Sequence, residues 1–421
     1  MPETTMRQGR PALIVAAIAS MLMISGCATS AETPVPGAKP GSSTTERKPA
    51  SFSQWRDQFR TRALSAGISP ATFDRAFAGV SPNDEVLERD AYQPEFTRPI
   101  WEYLDSAVSE NRISTGRSKA EEKRSLIEAI ERRYGVDGPI VLAIWGLESG
   151  FGAQFGDIPV IESMATLAYE GRRRDFAEEQ LIAALKILEA GDITPERMVG
   201  SWAGAMGHTQ FIPTSFLAHA VDFDGNGRRD VWHAEDALAS TANYLGSSGW
   251  RQGAPVAVEI RLPEGFNYAE AGDGTRRAAA EWSARGIRAI GGTLPNGEDV
   301  EILLPAGAKG PAFAAYPNFR TILRYNNATS YALAVSQLAS RIAGGPGIQA
   351  SWPRGDRMLS RDETKELQRR LTALGYETQG VDGIIGPNSR TAVRRFQKAR
   401  GMVPDAYVST SLLQAVRSAG G

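Results

Sequence analysis

The strongest constraint on the fold lies in one short stretch, "AIWGLESGFG" (Ala143–Gly152). It closes a run, Pro139–Leu147, in which no side chain is charged. A helix that is apolar all round has no face to offer water, so other elements must enclose it. A chain of 421 residues is long enough to build that enclosure. The run ends on Glu148, and Ser149, Gly150, Phe151 and Gly152 follow at once. On a helix the same-face neighbours of Glu148 are Val141, Ile144 and Trp145. Burial in that wall and the negative end of the helix dipole both disfavour a carboxylate and raise its pKa. A carboxyl still protonated near neutrality is suited to general acid work. The glycines let a polymer approach closely and stop the helix from covering the carboxyl. The competing reading is a terminal glutamate that swings out to solvent.

The N-terminus is not expected to belong to the fold. Arg7 and Arg10 precede Leu13–Ile24, an apolar segment of signal-peptide length that is short for a membrane span. It ends in "ISGC", and Cys27 is the only cysteine, so no disulfide forms within the monomer. The pattern resembles a bacterial lipoprotein signal, with residues 1–26 removed and Cys27 lipidated. An ordinary secretory signal is the alternative. Ala28 after the cysteine implies, within the lipoprotein class, a lipid anchor on the periplasmic face of the outer membrane. The formal net charge of -1 gives no general attraction to nucleic acid.

Residues 27–50 are rich in Pro, Ser, Thr, Gly and Ala and read as a flexible tether. Helical spacing begins at Phe52, with Gly67 and Pro70 as a break. Further helices are predicted over Ala120–Tyr134, Pro139–Glu148, Phe176–Glu189, Ala234–Leu245 and Ser330–Ala343. Asp137 is a candidate cap, with Pro139 near the first position of its helix. "VAVEIRL" (Val256–Leu262) and "DVEILL" (Asp299–Leu304) read as short strands around a helix near Arg276–Arg285. This first unit covers 51–344, a linker follows over 345–359, and a small unit fills 360–421. In that unit Leu367, Leu371 and Leu374 share a helix face that Gly375 ends, and Thr391–Ala399 is a second helix. It closely resembles the three-helix peptidoglycan-binding module of cell-wall hydrolases, although "PDAYVS" replaces the family's "DGxxG"-like loop. Residues 354–421 carry a net charge of +5, which suits a polymer bearing peptide carboxylates. The plainer reading of Arg390, Arg394, Arg395 and Lys398 is a solvated helix face.

Two more stretches suit a sugar groove. "SWAGAMGHTQFIPTSF" (Ser201–Phe216) puts Ser201, Gln210 and Phe211 among glycines, and "RYNNATSYALAV" (Arg324–Val335) supplies Tyr325, Asn326 and Tyr331. The alternative for each is a packed helix start. With "GLESGFG", "DFDGNGRRDVW" and "ANYLGSSGW", these motifs resemble the membrane-bound lytic transglycosylase B family over about Phe52–Ala343. The resemblance implies a mainly α fold of the α+β kind. Its parts would be a lysozyme-like helical catalytic domain with a small β-containing subdomain, followed by the three-helix module. It implies cleavage of the MurNAc–GlcNAc β-1,4 bond of peptidoglycan, with the muramic C6 hydroxyl closing a 1,6-anhydro ring. It assigns the acid/base to Glu148 and contacts with the muramic acetamido group and the groove to Ser201 and Gln210, while Phe211 beside them reads as an apolar stacking surface for the sugar. Tyr325, Asn326 and Tyr331 would lie close to the acid, and Arg173 and Arg174 would face the peptide stem. No second acidic residue stands in the groove motifs, whereas ordinary glycosidases use two.

"DFDGNGRRD" opens like an EF-hand loop. Asp222, Asp224 and Asn226 supply oxygens, Gly227 allows the turn, and Arg228 would give its carbonyl. His233 stands where the closing Glu is usual, and Asp236 would close the loop instead, as the resemblance also implies. Structural calcium is the expectation. Sodium or a metal-free turn is the alternative, and the chemistry requires no cofactor. The three histidines form no zinc motif, which disfavours a zinc amidase. A hydrolytic muramidase and a non-catalytic peptidoglycan anchor are the other functional readings. The expected partners are glycan strands and, through Cys27, the membrane, with no nucleic acid and a monomeric chain.

Overall fold

A computed structural model describes residues 51–91, 98–272 and 274–420. The signal segment, Cys27 and the tether up to residue 50 lie outside the described residues. The chain opens with α1 (Phe52–Ser65), α2 (Pro70–Ala76) and α3 (Asp84–Ala91). Ser51 and Ser69 cap the first two by accepting the amides of Gln54 and Thr72. Next come α4 (Ile100–Ala107), α5 (Glu110–Glu122), α6 (Arg124–Tyr134) and α7 (Gly138–Ser149). The single helix predicted over Ala120–Tyr134 is instead divided at Lys123. The first helix buries Ile113 and Gly116, and the second Ile127 and Ile130. Asp137 does not cap α7; its carboxylate accepts from the Trp250 indole at 2.8 Å and from Gly253.

β1 (Ile158–Pro159), α8 (Val160–Glu170), α9 (Arg174–Ala190), β2 (Val199–Gly200), α10 (Pro213–His219) and α11 (Ala234–Ser247) complete the helical body. A small sheet unit follows: β3 (Ala257–Arg261), β4 (Arg276–Arg277), α12 (Ala279–Ala284), β5 (Arg288–Ala289), β6 (Val300–Leu303) and β7 (Ala312–Ala315). Its order is β4-β6-β7-β3-β5, with antiparallel pairing throughout. The strands read from sequence are β3 and β6. The helix read near Arg276–Arg285 begins later, because Arg276 and Arg277 pair with β6. The chain returns to the helical body through α13 (Pro317–Tyr325) and α14 (Thr329–Ile342). Then α15 (Arg361–Ala373), α16 (Pro387–Ala399) and α17 (Thr410–Ala419) form the last unit around Leu367, Leu371, Val393, Phe396 and Leu413. The fold is thus mainly helical with a small sheet, as expected.

Two helical cores meet beside Glu148. One surrounds α7 and α14; the other surrounds α8 and α9. In the first, Val141, Ala143 and Ile144 of α7 are fully enclosed, as an uncharged run requires. The segment between α14 and α15 is fastened down. Glu259 accepts the amides of Gln349 and Ala350 at 2.8 and 2.7 Å, Trp352 lies against Trp101, and Arg354 pairs with Asp105 at 2.6 Å. The last unit also touches the sheet unit, where Asp405 accepts the Ala308 amide at 2.8 Å. In "PDAYVS" Ala406 has φ +57, so the alanine occupies a backbone position that favours the glycine of the "DGxxG"-like loop.

Candidate active site

The end of α7 is built from backbone that few residues accept. Gly150, Phe151 and Gly152 all have positive φ, at 58, 61 and 86°. The strain at Phe151 is offset by burial of its ring, edge-on to Trp145 at 5.7 Å. The turn leaves Glu148 half-buried at the last turn of the helix. The Tyr331 hydroxyl donates to Glu148 Oε1 at 2.6 Å. Burial pushes the Glu148 carboxyl up to about 7, and the Tyr331 bond acts in the opposite sense but does not win. Among the described residues no second carboxylate contributes to that shift.

A clamp fixes the direction of this helix end. Trp145 Nε1 donates to His208 Nδ1 at 2.9 Å, and Ser149 Oγ donates to the His208 carbonyl at 2.6 Å. His208 therefore grips the residues on both sides of Glu148. Its ring lies so close to the turn that a Cβ on Gly152 would come within 2.4 Å of it. Burial pushes the imidazole down to about 4, so the ring is neutral and Nδ1 is free to accept.

Tyrosines wall the carboxyl. Tyr331 is buried, and burial together with the Glu148 charge holds its phenol well above the usual range. The same two causes act on Tyr325, whose hydroxyl donates to the Thr209 carbonyl. Tyr103 of α4 is a third, raised by burial and then by Glu148. Sequence reasoning missed Tyr103, because it stands in an ordinary amphipathic helix with no motif around it. It also missed the clamp role of His208, which was weighed only as a metal ligand.

The other predicted site residues divide. Asn326 follows Tyr325 and is buried, and its Oδ1 has no hydrogen-bond partner among the described residues. Ser201 Oγ accepts the amides of Ala203 and Ala205 at 3.3 and 3.1 Å, which leaves its hydroxyl proton to donate. Gln210 sits at φ +54, and its amide nitrogen donates to Phe155 and Gly207, leaving the amide oxygen as acceptor. Phe211 departs from the expectation of a stacking surface. It is 2% exposed, packed beneath Tyr244 and Tyr325, because the loop turns it into the core. Arg173 and Arg174 stand at the start of α9, with the Arg173 guanidinium 4.3 Å from the Phe176 ring centre. Arg172 is the arginine of this trio that is tied down, to buried Asp90 at 3.3 Å.

The acidic loop closes on itself. Oxygens of Asp222, Asp224 and Asp236 lie within 4.8 Å of one another. Asp222 accepts the amides of Gly225, Asn226 and Gly227, and Asn226 Oδ1 accepts that of Arg228. Asp236 is fully buried and its carboxyl is raised by burial, with the Asp224 charge adding to it. Three converging carboxylates, one of them buried, fit a hard divalent cation that would relieve their repulsion. The loop also supports the clamp, since the His208 amide donates to the Val231 carbonyl at 2.9 Å.

Comparison with known proteins places this arrangement in context. The transglycosylase SLT domain model matches residues 51–340, and a peptidoglycan binding domain model matches 360–416. Membrane-bound lytic murein transglycosylase B of Escherichia coli K12 is 35% identical over 217 residues, which is 50% of this chain. The match spans 58% of that relative's length. SltB3 of Pseudomonas aeruginosa, solved in complex with NAG-anhNAM-pentapeptide, is 51% identical with a TM-score of 0.84. That match covers 87% of this chain and 100% of SltB3. Slt35 of Escherichia coli, solved in complex with calcium, is 28% identical with a TM-score of 0.60, over 68% of this chain and 92% of that one. Among the described residues no helix is long and apolar enough to cross a membrane.

Proposed function

The chain belongs to the transglycosylase SLT domain family, and from that premise we propose that it is a lytic transglycosylase acting on the MurNAc–GlcNAc β-1,4 bond of peptidoglycan. The observation that carries the reading is the single Glu148 carboxyl, raised to about 7 by burial and held by Tyr331. Protonated Glu148 donates to the leaving glycosidic oxygen. The substrate's N-acetyl group supports the positive charge that develops at C1. The carboxylate left behind then takes the proton of the muramic C6 hydroxyl, which attacks C1 and closes the 1,6-anhydro ring. One group thus serves as acid and then base, and no activated water is needed. The Tyr331 hydrogen bond steadies the carboxylate between the two steps. The Ser201 hydroxyl proton is available to donate to a substrate carbonyl or hydroxyl oxygen.

In this reading Arg173 and Arg174 meet the peptide stem, and residues 360–421 hold the wall. Asp222, Asp224, Asn226, Arg228 and Asp236 hold calcium, which has a structural role and takes no part in the reaction. Cys27 carries the lipid that keeps a monomeric enzyme at the outer membrane. These assignments follow from the motifs and from the acidic loop's geometry.

The test is mass spectrometry of muropeptides released from purified peptidoglycan by a form lacking residues 1–27 and by its Glu148→Gln variant. Products one water lighter than reducing-end muropeptides, absent with the variant, support the reading. Reducing-end products point to a hydrolase, and release by the variant removes Glu148 from the chemistry.

A further inference from the structure

Away from Glu148 the surface carries an open concavity. It is a cleft of about 330 Å³ between the end of α11, the turn after it and α13. None of its lining residues is acidic, and three are arginines: Arg251, Arg320 and Arg324. On α13, Arg320, Thr321 and Arg324 fall on one face at helical spacing. Arg324 donates to the Ser248 carbonyl at 2.7 Å, and Arg320 to the Asp299 carbonyl at 2.9 Å. The nearest carboxylate to Arg320 is the exposed one of Asp299, at 4.0 Å. Among the described residues Arg324 has no carboxylate partner, and the Arg251 guanidinium has neither a hydrogen bond nor an ion pair. Burial, then the positive charges of Arg276 and Arg251, push the Arg320 guanidinium down, against the Asp299 and Glu301 charges, which act in the opposite sense.

Thr321 supplies an independent observation. It is 4% exposed, it lines the cleft, and its hydroxyl has no hydrogen bond among the described residues. A helical threonine commonly bonds back to the preceding turn, as Thr241 does to Ala237 at 3.0 Å. An unspent hydroxyl that lines the same cleft as three guanidiniums, two of them without a carboxylate partner among the described residues, is a donor set suited to an oxyanion. The cleft adjoins the tyrosine wall, since Arg324 precedes Tyr325 and its carbonyl accepts the Tyr244 hydroxyl at 2.7 Å.

We propose that Arg251, Arg320, Arg324 and Thr321 form a second anion site that holds a free carboxylate of a peptidoglycan stem peptide. The inference rests on the reading of peptidoglycan as substrate. It places the stem carboxylate on the α13 side of the tyrosines, separate from Arg173 and Arg174.

The test measures binding of a stem-type tetrapeptide to the full-length protein by calorimetry. The same peptide amidated at every carboxyl, and inorganic phosphate, are titrated beside it. Arg251→Gln and Thr321→Val are the variants, because neither side chain has a structural bond to lose. The free-acid peptide is expected to bind about tenfold tighter than the amidated one, and each variant to lose most of that difference. Equal binding of both peptides, or variants that bind like the wild type, overturns the site. Displacement of the peptide by phosphate at equal concentration overturns the peptide assignment and leaves a plain anion site. If the wild type releases no anhydro products, the substrate reading itself fails, whichever way the variants behave.

Discussion

Glu148→Gln should change stability in a pH-dependent way, with a sign opposite to that of most acidic residues. The folded protein holds this carboxyl near 7, against an ordinary value of 4.5. A raised acid binds its proton more tightly in the folded state than in the unfolded one. Its contribution is therefore fully present below about pH 4.5 and is lost as the pH climbs through 7. At about 1.4 kcal/mol per pH unit, the wild type loses roughly 3 kcal/mol over that window. Glutamine keeps the shape of the protonated acid, can still accept from Tyr331, and does not titrate. The variant should match the wild type near pH 4.5 and be more stable by roughly 3 kcal/mol at pH 8, on the order of 5–10 °C in melting temperature. Paired thermal melts across that range measure the difference, and every other titrating group cancels between the two proteins. The same ionisation should cut kcat/KM above about pH 7, because the general acid must then be protonated first. A melting difference that is flat with pH would mean that Glu148 titrates normally. The argument for a single carboxyl acting as acid and then base would fall with it.

The clamp and the acidic loop give two further expectations. His208→Phe fills the space but leaves the buried Trp145 indole N–H without an acceptor, at a cost of about 1–3 kcal/mol. We expect kcat to fall more than KM changes, and His208→Asn, with an oxygen near the place of Nδ1, to recover most of it; equal losses in both variants would refute the clamp. Chelation should lower the melting temperature and calcium restore it, by about 2.7 kcal/mol at a hundredfold excess over Kd, while Asp236→Asn should be blind to both. A wild type indifferent to chelator and calcium would remove the metal from this loop.

Glu148 and its apolar wall were legible because both lie within one helix, where spacing translates directly into a shared face. The strands β3 and β6 were legible for the same reason, as alternation within a short run. β7 was not, because "AFAA" is buried at every position and shows no alternation. The break at Lys123 was hidden because residues 121–125 are polar and include no glycine or proline to mark it. Phe211 was misplaced for a related reason. Its motif marks the loop as functional, but only the path of the loop decides which residues face the groove and which support it. Tyr103 and the grip of His208 depend on contacts between distant segments, such as Trp145 and His208, which are 63 positions apart. No local pattern records those.

That division has a physical cause in how the site is made. Glu148 stands where two cores meet, and neither core alone would hold it. The α7–α14 core supplies the apolar wall and Tyr331; the α8–α9 core includes Phe211, and the loop that carries Phe211 also carries His208. The acidic loop backs that arrangement through Val231 and His208. A carboxyl raised by burial gains nothing from a second carboxylate close by, whose charge would push it higher and hold back the proton in the first step. The structure surrounds it with phenols instead. Tyr103, Tyr325 and Tyr331 all stay neutral, since burial and the Glu148 charge keep each above its usual range. The neutral Tyr331 donor can stabilise the carboxylate after it has given up its proton without competing for that proton beforehand. In the proposed mechanism this is the arrangement by which one acid would return as the base within a single turnover, with His208 and the strained turn holding its direction fixed between the two steps.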